Sequence, residues 1–430
     1  MTEQRQRLSV RERMLYGAGH VGTSVVTAVT LSYLLYRYQG QAPALWIGGA
    51  MIVGRIVDAV TDPLVGHWSD STRSRMGRRK PFILWGTPAL AITFLLLWTP
   101  PVGHFSGLNA AYLAFMSSAF LFAFTVAVCP YLALLPELAP EGGERSTLAA
   151  VQAAFNVVGV IAAVFAGMMI DRLGYVPMGV IFAVVTWVTL WMPLAGRKEH
   201  VQPETETIGL VPAIRATLAN RPFLVYVGAY LLFWFGLQVL TATLPFYVEV
   251  VLGMKQSAST LLQGASVGVA LVLFTLLPRA SKRWGKKRLM LAGYLDLACA
   301  VPLLTVSAHL PPGWRLWAAI GSIVLAAPAV AVIFAVPNAV MGDLCDYDEK
   351  ATGRRREGMY FGVQGFMVKL VLGLAFFAAS QMVGQRGETV THPGGVMAAP
   401  LICAACGLAA YFVFRRYPLE EAARAGWGRT

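Results

Sequence analysis

Apolar residues run through this chain in long windows that are almost free of charge and are separated by short polar segments. An α-helix needs roughly 20 such residues to cross a lipid bilayer. Residues 81–136 contain no Asp, Glu, Lys or Arg, and "TPPVGHFSGLN" carries the proline and glycine residues that divide this stretch into two helices. The pattern predicts twelve transmembrane helices, at 14–36, 41–67, 81–100, 108–136, 146–170, 174–196, 222–248, 257–278, 289–309, 316–342, 358–383 and 395–414.

The chain also divides into two halves. Residues 197–221 form the longest polar segment, between the sixth and seventh predicted helices. The loop "SRMGRRKPFIL" after the second helix is echoed by "KRWGKKRLMLA" after the eighth, which indicates a duplicated unit. We therefore predict an all-α polytopic membrane protein of two six-helix bundles. The expected division is a first bundle at 1–196, a cytoplasmic linker at 197–221, a second bundle at 222–417 and a cytoplasmic tail at 418–430.

Composition agrees with this class of fold. Of the 430 residues, 57% are hydrophobic and only 13% are charged, whereas soluble domains carry roughly a quarter charged residues. The polar start "MTEQRQRLSVRERM" is unlike a cleavable signal peptide. The five cysteines show neither disulfide nor zinc spacing, so we expect no transition metal.

The net charge of +13 has a topological explanation. Basic residues collect in the N-terminal segment and in alternate loops, at 73–80, 279–288 and 354–356. Because the cytoplasmic loops of membrane proteins carry an excess of Lys and Arg, we expect both termini in the cytoplasm and the protein in the plasma (inner) membrane. This distribution argues against nucleic acid as a partner.

Two carboxylates interrupt the second window, "GRIVDAVTDPLVGHWSD". Asp58 and Asp62 lie four residues apart and therefore share one helix face. An ionised aspartate at the centre of a membrane helix costs about 2.5–3.5 kcal/mol, so both should face the protein interior. A proton, a bound cation or a basic residue such as Arg55 would offset their charge.

The surrounding residues favour a cation. Pro63 cannot donate its backbone nitrogen, which frees the carbonyl oxygen of Ala59, and Thr61 adds a hydroxyl. Hard oxygen ligands of this kind suit Na⁺ or H⁺. The alternative is structural: Asp62 ends the helix near the cytoplasm while Asp58 only pairs with Arg55.

Two further charged residues lie in apolar windows. Lys369 stands alone in "GMYFGVQGFMVKLVLGLAFFAAS", so we expect a carboxylate or an anionic substrate group beside it, or else an amine that reaches the membrane interface. Asp296, in "AGYLDLACA", is either functional or a structural polar contact.

Three segments resemble the signatures of a known family. "RIVDAVTDPLVGHWSDSTRSRMGRRKPFILWGTP", "PYLALLPELAPEGGERS" and "GDLCDYDEKATGRRREGMYFGVQGFMVK" are similar to motifs of the glycoside–pentoside–hexuronide:cation symporters, the melibiose-permease branch of the major facilitator superfamily. They stand at the expected places along nearly the whole chain. The resemblance implies alternating access in a cation-driven carrier. It does not specify a substrate.

The resemblance also implies residue roles. Asp58 and Asp62 match the cation-binding aspartates, Arg55 matches a nearby arginine and Thr125 matches a cation-reaching threonine of the fourth helix. Thr61 replaces an asparagine, which leaves the preference among Na⁺, Li⁺ and H⁺ open. Lys369 matches a coupling lysine close to both the cation and the sugar sites.

The sugar-holding residues depart from the family pattern. Ser24 and Val128 stand where the permease has aspartates that bind galactoside hydroxyls, and Ala153 replaces an arginine. A melibiose-like galactoside is therefore not expected. Milder polar and aromatic side chains remain as substrate-cleft candidates, each with an alternative role in helix packing: His20, Thr23, Ser24, Gln152, Asn156, Tyr230, Trp234, Gln238, Thr241, Asn338 and Gln364.

A cytoplasmic gate follows from the same resemblance. Charged residues stand at the ends of the predicted helices and would pair across the two bundles when the cytoplasmic side is closed. The alternative is that they are solvated loop charges. They are Arg145, Asp343, Asp346, Glu349 and Arg355.

We therefore predict a Na⁺- or H⁺-coupled symporter of a small organic solute, a sugar or glycoside, that works as a monomer without an organic cofactor. The vertebrate lysophosphatidylcholine symporters resemble the same family and also lack the sugar aspartates, so a lysophospholipid-like amphiphile is an alternative. A membrane-embedded enzyme or a channel is a remote one, because no nucleophile–base set, metal cluster or phosphate-binding glycine loop stands out.

Overall fold

The computed structural model describes residues 8–139, 142–196, 217–255, 257–352, 357–386 and 393–418, and all regular structure in these ranges is helical. The chain forms two compact units, Met1–Glu206 and Thr207–Thr430. Their boundary falls inside the polar segment 197–221. Most of that segment, and the tail after residue 418, lie outside the described residues.

The first unit consists of seven described α-helices and one 3₁₀ turn. Capping explains where two of them begin: Ser9 and Glu12 form a reciprocal capping box, and the Ser106 hydroxyl accepts a hydrogen bond from the Leu108 N–H. The helices are α1 (Val10–Tyr38), α2 (Ala44–Ser71), α3 (Lys80–Leu96), α4 (Gly107–Leu138), α5 (Gly142–Val164), α6 (Ala166–Leu173) and α7 (Tyr175–Trp191), with the 3₁₀ turn at Met192–Ala195.

Within the first unit, α1 packs between α5 and α7, while α4 packs against α2 and α3. The connection between α3 and α4 is fixed by Asn109, a fully buried residue. Its amide nitrogen, which has two hydrogens to donate, lies 3.0–3.1 Å from three backbone carbonyl oxygens, those of Gln41, Val102 and His104. One buried amide therefore fixes the start of α4 relative to the end of α1.

The second unit contains a further seven described α-helices. They are α8 (Arg221–Phe246), which continues as a π-helical turn at Tyr247–Val251, α9 (Ser257–Trp284), α10 (Lys286–Ala300), α11 (Leu303–Ser307), α12 (Pro312–Thr352), α13 (Glu357–Arg386) and α14 (Gly394–Arg415). Helix α8 packs against α13 and α14, and α12 packs against α9 and α10.

The helices correspond to the predicted windows. Eleven helices in the described part of the chain are long and apolar enough to span a membrane, and the third predicted window corresponds to a shorter apolar helix, Lys80–Leu96. Two windows that read as continuous are interrupted: the fifth at Phe165, between α5 and α6, and the ninth at Pro302, between α10 and α11. Pro302 has no backbone N–H, which favours a break there.

Candidate cation site

The aspartate pair lies where α2 and α4 pack against each other. The two backbones come close because Gly54 has no side chain: a Cβ atom there would lie 2.8 Å from the Ser117 hydroxyl oxygen. Ser117 and Thr125 are eight residues apart and share one face of α4, as Gly54 and Asp58 share one face of α2. Close contact at Gly54 therefore brings Thr125 to the carboxylates.

Thr125 lies beside both carboxylates. Its hydroxyl oxygen is 3.2 Å from Asp58 Oδ1 and 2.9 Å from Asp62 Oδ1. Asp58 and Thr125 are each 2% exposed, and Asp62 is half-buried. A threonine hydroxyl carries a single proton, so it can donate to only one of these carboxylates at a time. Three oxygen atoms thus converge on one point.

The charges around this point are unequal. Arg55, half-buried on the preceding turn, has Nη1 3.5 Å from Asp58 Oδ2, so Asp58 uses one oxygen for the guanidinium and the other toward Thr125. With both carboxylates ionised, Arg55, Asp58 and Asp62 would together have one more negative than positive charge. A proton or a monovalent cation would make this set neutral, which is the favourable state inside a membrane protein.

Thr61 is oriented differently from the other expected ligands. Its hydroxyl donates to the backbone carbonyl of Asp58 at 3.3 Å, within the helix, rather than to either carboxylate. Pro63 lies inside α2 and cannot donate to the carbonyl of Ala59, as expected from the sequence. Three of the four expected ligands, Asp58, Asp62 and Thr125, are therefore adjacent in space.

The two other charged residues of the apolar windows belong to the second unit. Lys369 is half-buried in the middle of α13. Asp296, on α10, accepts a hydrogen bond at 3.0 Å from the backbone N–H of Ala329, next to Pro328 in α12. Since a proline disturbs the helix around it, this contact favours the structural interpretation of Asp296.

The cleft candidates of the first unit form two polar rungs between α1 and α5. Gln152 Nε2 is 3.3 Å from His20 Nδ1, and the Asn156 amide donates to the Ser24 hydroxyl at 2.8 Å. Ser24 in turn donates to the carbonyl of His20 at 2.6 Å. The two rungs present neutral hydrogen-bonding groups. Val128, by contrast, is a buried apolar side chain of α4.

The cleft candidates of the second unit lie on three helices. Tyr230, Trp234 and Gln238 follow one another on α8, and Gln364 lies on α13, which packs against α8. Gln238 and Gln364 are buried, whereas Asn338, on α12, is exposed. Helices α8 and α13 thus bring most of these candidates together.

One of the expected gate residues, Asp343, forms an ion pair with a residue that was not among the expected gate residues. Asp343 lies 2.7 Å from Lys286, within the same unit. Arg145 and Asp346 are exposed and Glu349 is half-buried; Arg355 lies outside the described residues. In the first unit, Glu144, the neighbour of Arg145, lies 3.9 Å from Arg13 and accepts a hydrogen bond from the Leu8 N–H.

A buried ionic cluster at the end of α4 was not predicted from the sequence. Glu137 is 4% exposed, and its Oε1 accepts hydrogen bonds from Arg78 at 2.7 and 3.0 Å and from Arg79 at 3.1 Å. Arg79 also contacts Ser69 at 2.5 Å and pairs with Asp70. A signal was present, because Glu137 is the first acidic residue after the uncharged stretch 81–136.

The two halves repeat this arrangement in outline. Gly77 and Gly285 both have positive φ angles, +106° and +82°, which explains why glycine occupies both positions of the sequence echo. Each is followed by a basic residue that pairs with an acid two helices later, Arg78 with Glu137 and Lys286 with Asp343. The echo in the sequence therefore corresponds to the same local structure in each unit.

Known relatives are transporters. The chain is 28% identical to a putative sulfoquinovose importer of Salmonella typhimurium, covering 89% of this chain and 82% of that one. It is 25% identical to the isoprimeverose transporter of Lactiplantibacillus pentosus, covering 89% and 81%. It is 26% identical to a glucuronide carrier protein homolog of Escherichia coli, covering 97% and 94%.

A solved structure shows the same fold. The crystal structure of the nucleoside transporter NupG superposes with a TM-score of 0.68 at 12% identity, covering 95% of this chain and 99% of that one. The family model described as "MFS/sugar transport protein" matches residues 15–421. This chain is therefore a multi-pass membrane transporter, not an enzyme, and belongs to the sugar transport family of the major facilitator superfamily.

Proposed function

We propose that this protein is a symporter that uses Na⁺ or H⁺ entering at Asp58, Asp62 and Thr125 to drive uptake of a small sugar or glycoside by alternating access. Both termini face the cytoplasm and the protein lies in the plasma (inner) membrane as a monomer. The observation that carries this proposal is the Thr125 hydroxyl, which lies within 3.2 Å of both buried carboxylates.

The charge balance of the site explains how coupling arises. The empty set of Arg55, Asp58 and Asp62 has one surplus negative charge, which a single cation or proton removes. A carrier loaded with cation alone must cross poorly, while the empty carrier and the fully loaded carrier cross readily. Binding of the two ligands is then linked, and each raises the affinity of the other by the same factor.

The relatives and the polar rungs between α1 and α5 both support a sugar or glycoside as the substrate. Isoprimeverose, sulfoquinovose and glucuronides, which the relatives' names mention, all contain a pyranose ring. His20, Gln152, Ser24 and Asn156 offer neutral donors and acceptors of the kind that bind sugar hydroxyls. With Ser24 and Val128 in place of the two family aspartates, a melibiose-like galactoside is not the substrate.

Transport by purified protein in proteoliposomes tests this function. Counterflow is measured with isoprimeverose, sulfoquinovose, methyl glucuronide and lysophosphatidylcholine, each with an inward Na⁺ gradient, an inward H⁺ gradient or neither. The proposal expects at least one pyranoside to accumulate only when a gradient is imposed. Equal uptake with and without both gradients would contradict cation coupling, and exclusive transport of lysophosphatidylcholine would contradict the substrate class.

Thr125→Val should weaken cation activation. Valine has the same shape as threonine but removes the oxygen shared by Asp58 and Asp62. The cation concentration for half-maximal uptake should rise about tenfold, as expected for the loss of one hydrogen-bonding ligand. Thr125→Ser, which keeps the oxygen, is the matched control and should stay near the wild-type value. Equal activation curves for the valine and serine variants would remove Thr125 from the site.

Lys369→Ala should uncouple solute uptake from the cation gradient. We propose that this half-buried amine communicates between the cation and the sugar, as the family resemblance implies. The ratio of gradient-driven accumulation to counterflow should fall at least about tenfold, because breaking a buried charge interaction costs several kcal/mol. Lys369→Arg keeps the positive charge and should retain part of the coupling. An unchanged ratio in the alanine variant would exclude this role.

A further inference from the structure

Three aromatic side chains form a ladder on α8. Tyr226, Tyr230 and Trp234 are spaced four residues apart, so they share one face of the helix. The rings of Tyr226 and Tyr230 stack with centroids 5.8 Å apart, and Tyr230 meets Trp234 edge to face at 6.1 Å. The Trp234 ring also meets the Phe334 ring of α12 edge to face, with ring centroids 5.4 Å apart. The three side chains therefore support one another as a continuous aromatic surface, which we call the α8 ladder.

One end of the α8 ladder is anchored and the other is more open. Tyr226 is fully buried, and its phenol donates to the backbone carbonyl of Pro337 at 3.3 Å. Tyr230 and Trp234 are only half-buried. The buried anchor at Tyr226 thus holds the ladder in place, and its Tyr230–Trp234 end is the more open one.

Two polar atoms beside the open end lack a well-formed hydrogen bond. The indole nitrogen of Trp234 and the amide oxygen of Gln364 are both buried, and within the described part of the chain neither has a partner with normal hydrogen-bond geometry. Both side chains lie within weak hydrogen-bonding reach of the Tyr230 phenol. Gln364 as a whole is only 7% exposed. A buried polar group left unsatisfied is costly, so each such group in a folded protein calls for an explanation.

The two atoms are chemically complementary. The indole N–H is a donor and the amide oxygen is an acceptor, and a hydroxyl group is the smallest ligand group that satisfies both, because it accepts one hydrogen bond and donates another. The adjoining aromatic faces are electron-rich and favour the weakly positive C–H groups of an apolar ring face. A pyranose ring presents both features: equatorial hydroxyls at its edge and C–H groups on its faces.

We propose that Trp234, Tyr230 and Gln364 form a subsite for one pyranose ring of the transported solute. The ring lies against the α8 ladder, and one of its hydroxyls bridges Trp234 Nε1 and Gln364 Oε1. This inference rests on the proposed function and names the part of the substrate that the second unit recognises. An acyl chain has no hydroxyl to bridge the two atoms, and an acyclic polyol has no ring face to stack.

The test compares variants that remove the two polar atoms separately and together. Counterflow half-saturation is measured in proteoliposomes for the pyranosides isoprimeverose, sulfoquinovose and methyl glucuronide. Trp234→Phe keeps an aromatic ring but removes the N–H, and Gln364→Leu removes the oxygen. Each should raise the half-saturation concentration about tenfold. If both atoms hold the same hydroxyl, the double variant should be clearly less impaired than the product of the two effects.

Controls separate stacking, folding and coupling. Trp234→Ala should weaken pyranosides further than Trp234→Phe, because it also removes the ring. Trp317→Phe, at a tryptophan that is 67% exposed on α12, should behave like wild type. For Trp234→Phe, the cation concentration for half-maximal activation should not change at saturating pyranoside.

The outcomes for the subsite and for the proposed function are distinct. Wild-type half-saturation in Trp234→Phe with cation coupling intact would overturn the subsite and leave the function standing. Pyranoside uptake that is equal with and without both gradients would contradict cation coupling. If the half-saturation concentration nevertheless rises in Trp234→Phe, the subsite is supported.

Discussion

Asp58→Asn is expected to abolish cation-driven accumulation while leaving counterflow of the solute measurable. Asparagine keeps an oxygen that accepts from Thr125, but it removes the surplus negative charge from the set of Arg55, Asp58 and Asp62. The variant therefore resembles the cation-loaded site permanently. Accumulation driven by Na⁺ or H⁺ should fall about 100-fold or more, since the interactions of a buried charge are worth several kcal/mol.

Asp62→Asn should behave in the same way, because it neutralises the same surplus charge. The matched control is Asp171→Asn, an exposed aspartate of α6 outside the site, which should transport like wild type. The measurements are gradient-driven uptake and counterflow on the same proteoliposomes. Either site variant retaining wild-type stimulation by Na⁺ and by pH would show that the pair is not where the driving ion enters.

The fold was predictable because its main determinant, the apolar character of each membrane-spanning helix, can be recognised in each segment separately. Each helix must be apolar over its own length to cross the bilayer, and that property is visible without knowledge of any neighbour. The interruptions at Phe165 and Pro302 were less predictable. Proline favours a break at Pro302, but it is tolerated inside many membrane helices. Phe165 has no intrinsic tendency to end a helix, so the break there depends on packing in the folded chain.

Part of the site was predictable for a related reason. Carboxylates in a membrane helix are costly, so Asp58 and Asp62 stood out from their surroundings. Thr125 stood out only through the family resemblance, because a threonine in an apolar helix is unremarkable. Its contact with both carboxylates depends on the close approach of α2 and α4 at Gly54, which the sequence of either helix alone does not reveal.

Other contacts could not be predicted from the sequence. Thr61 lies next to Asp62 along the chain, yet its hydroxyl binds its own helix, since a threonine side chain can reach the carbonyl three residues earlier. Asp343 pairs with Lys286 of its own unit, a partner that the residue type alone did not indicate. In both cases residue type indicated a hydrogen bond or an ion pair, and only the backbone path determined the partner.

Glu137→Leu should have the largest effect on stability. Glu137 is the acceptor for Arg78 and Arg79, and these residues with Asp70 form a charge-balanced set that ties the ends of α2, α3 and α4 together. Leucine removes the carboxylate that both guanidinium groups share, and removing one partner of a buried ion pair costs about 3–5 kcal/mol. The melting midpoint of detergent-purified protein should fall by about 6–20 °C for a unit of this size.

The conservative variant identifies the cause. Glu137→Gln keeps an acceptor oxygen for the arginines but loses the charge, so its midpoint should lie between those of wild type and Glu137→Leu. Since Arg79 retains Ser69 and Asp70, Arg78 is the residue most affected, and removing it together with Glu137 should recover part of the loss. An equal melting midpoint for Glu137→Leu and wild type would contradict this stabilising role. It would mean that water already solvates these guanidinium groups and that apolar packing alone holds the ends of the three helices.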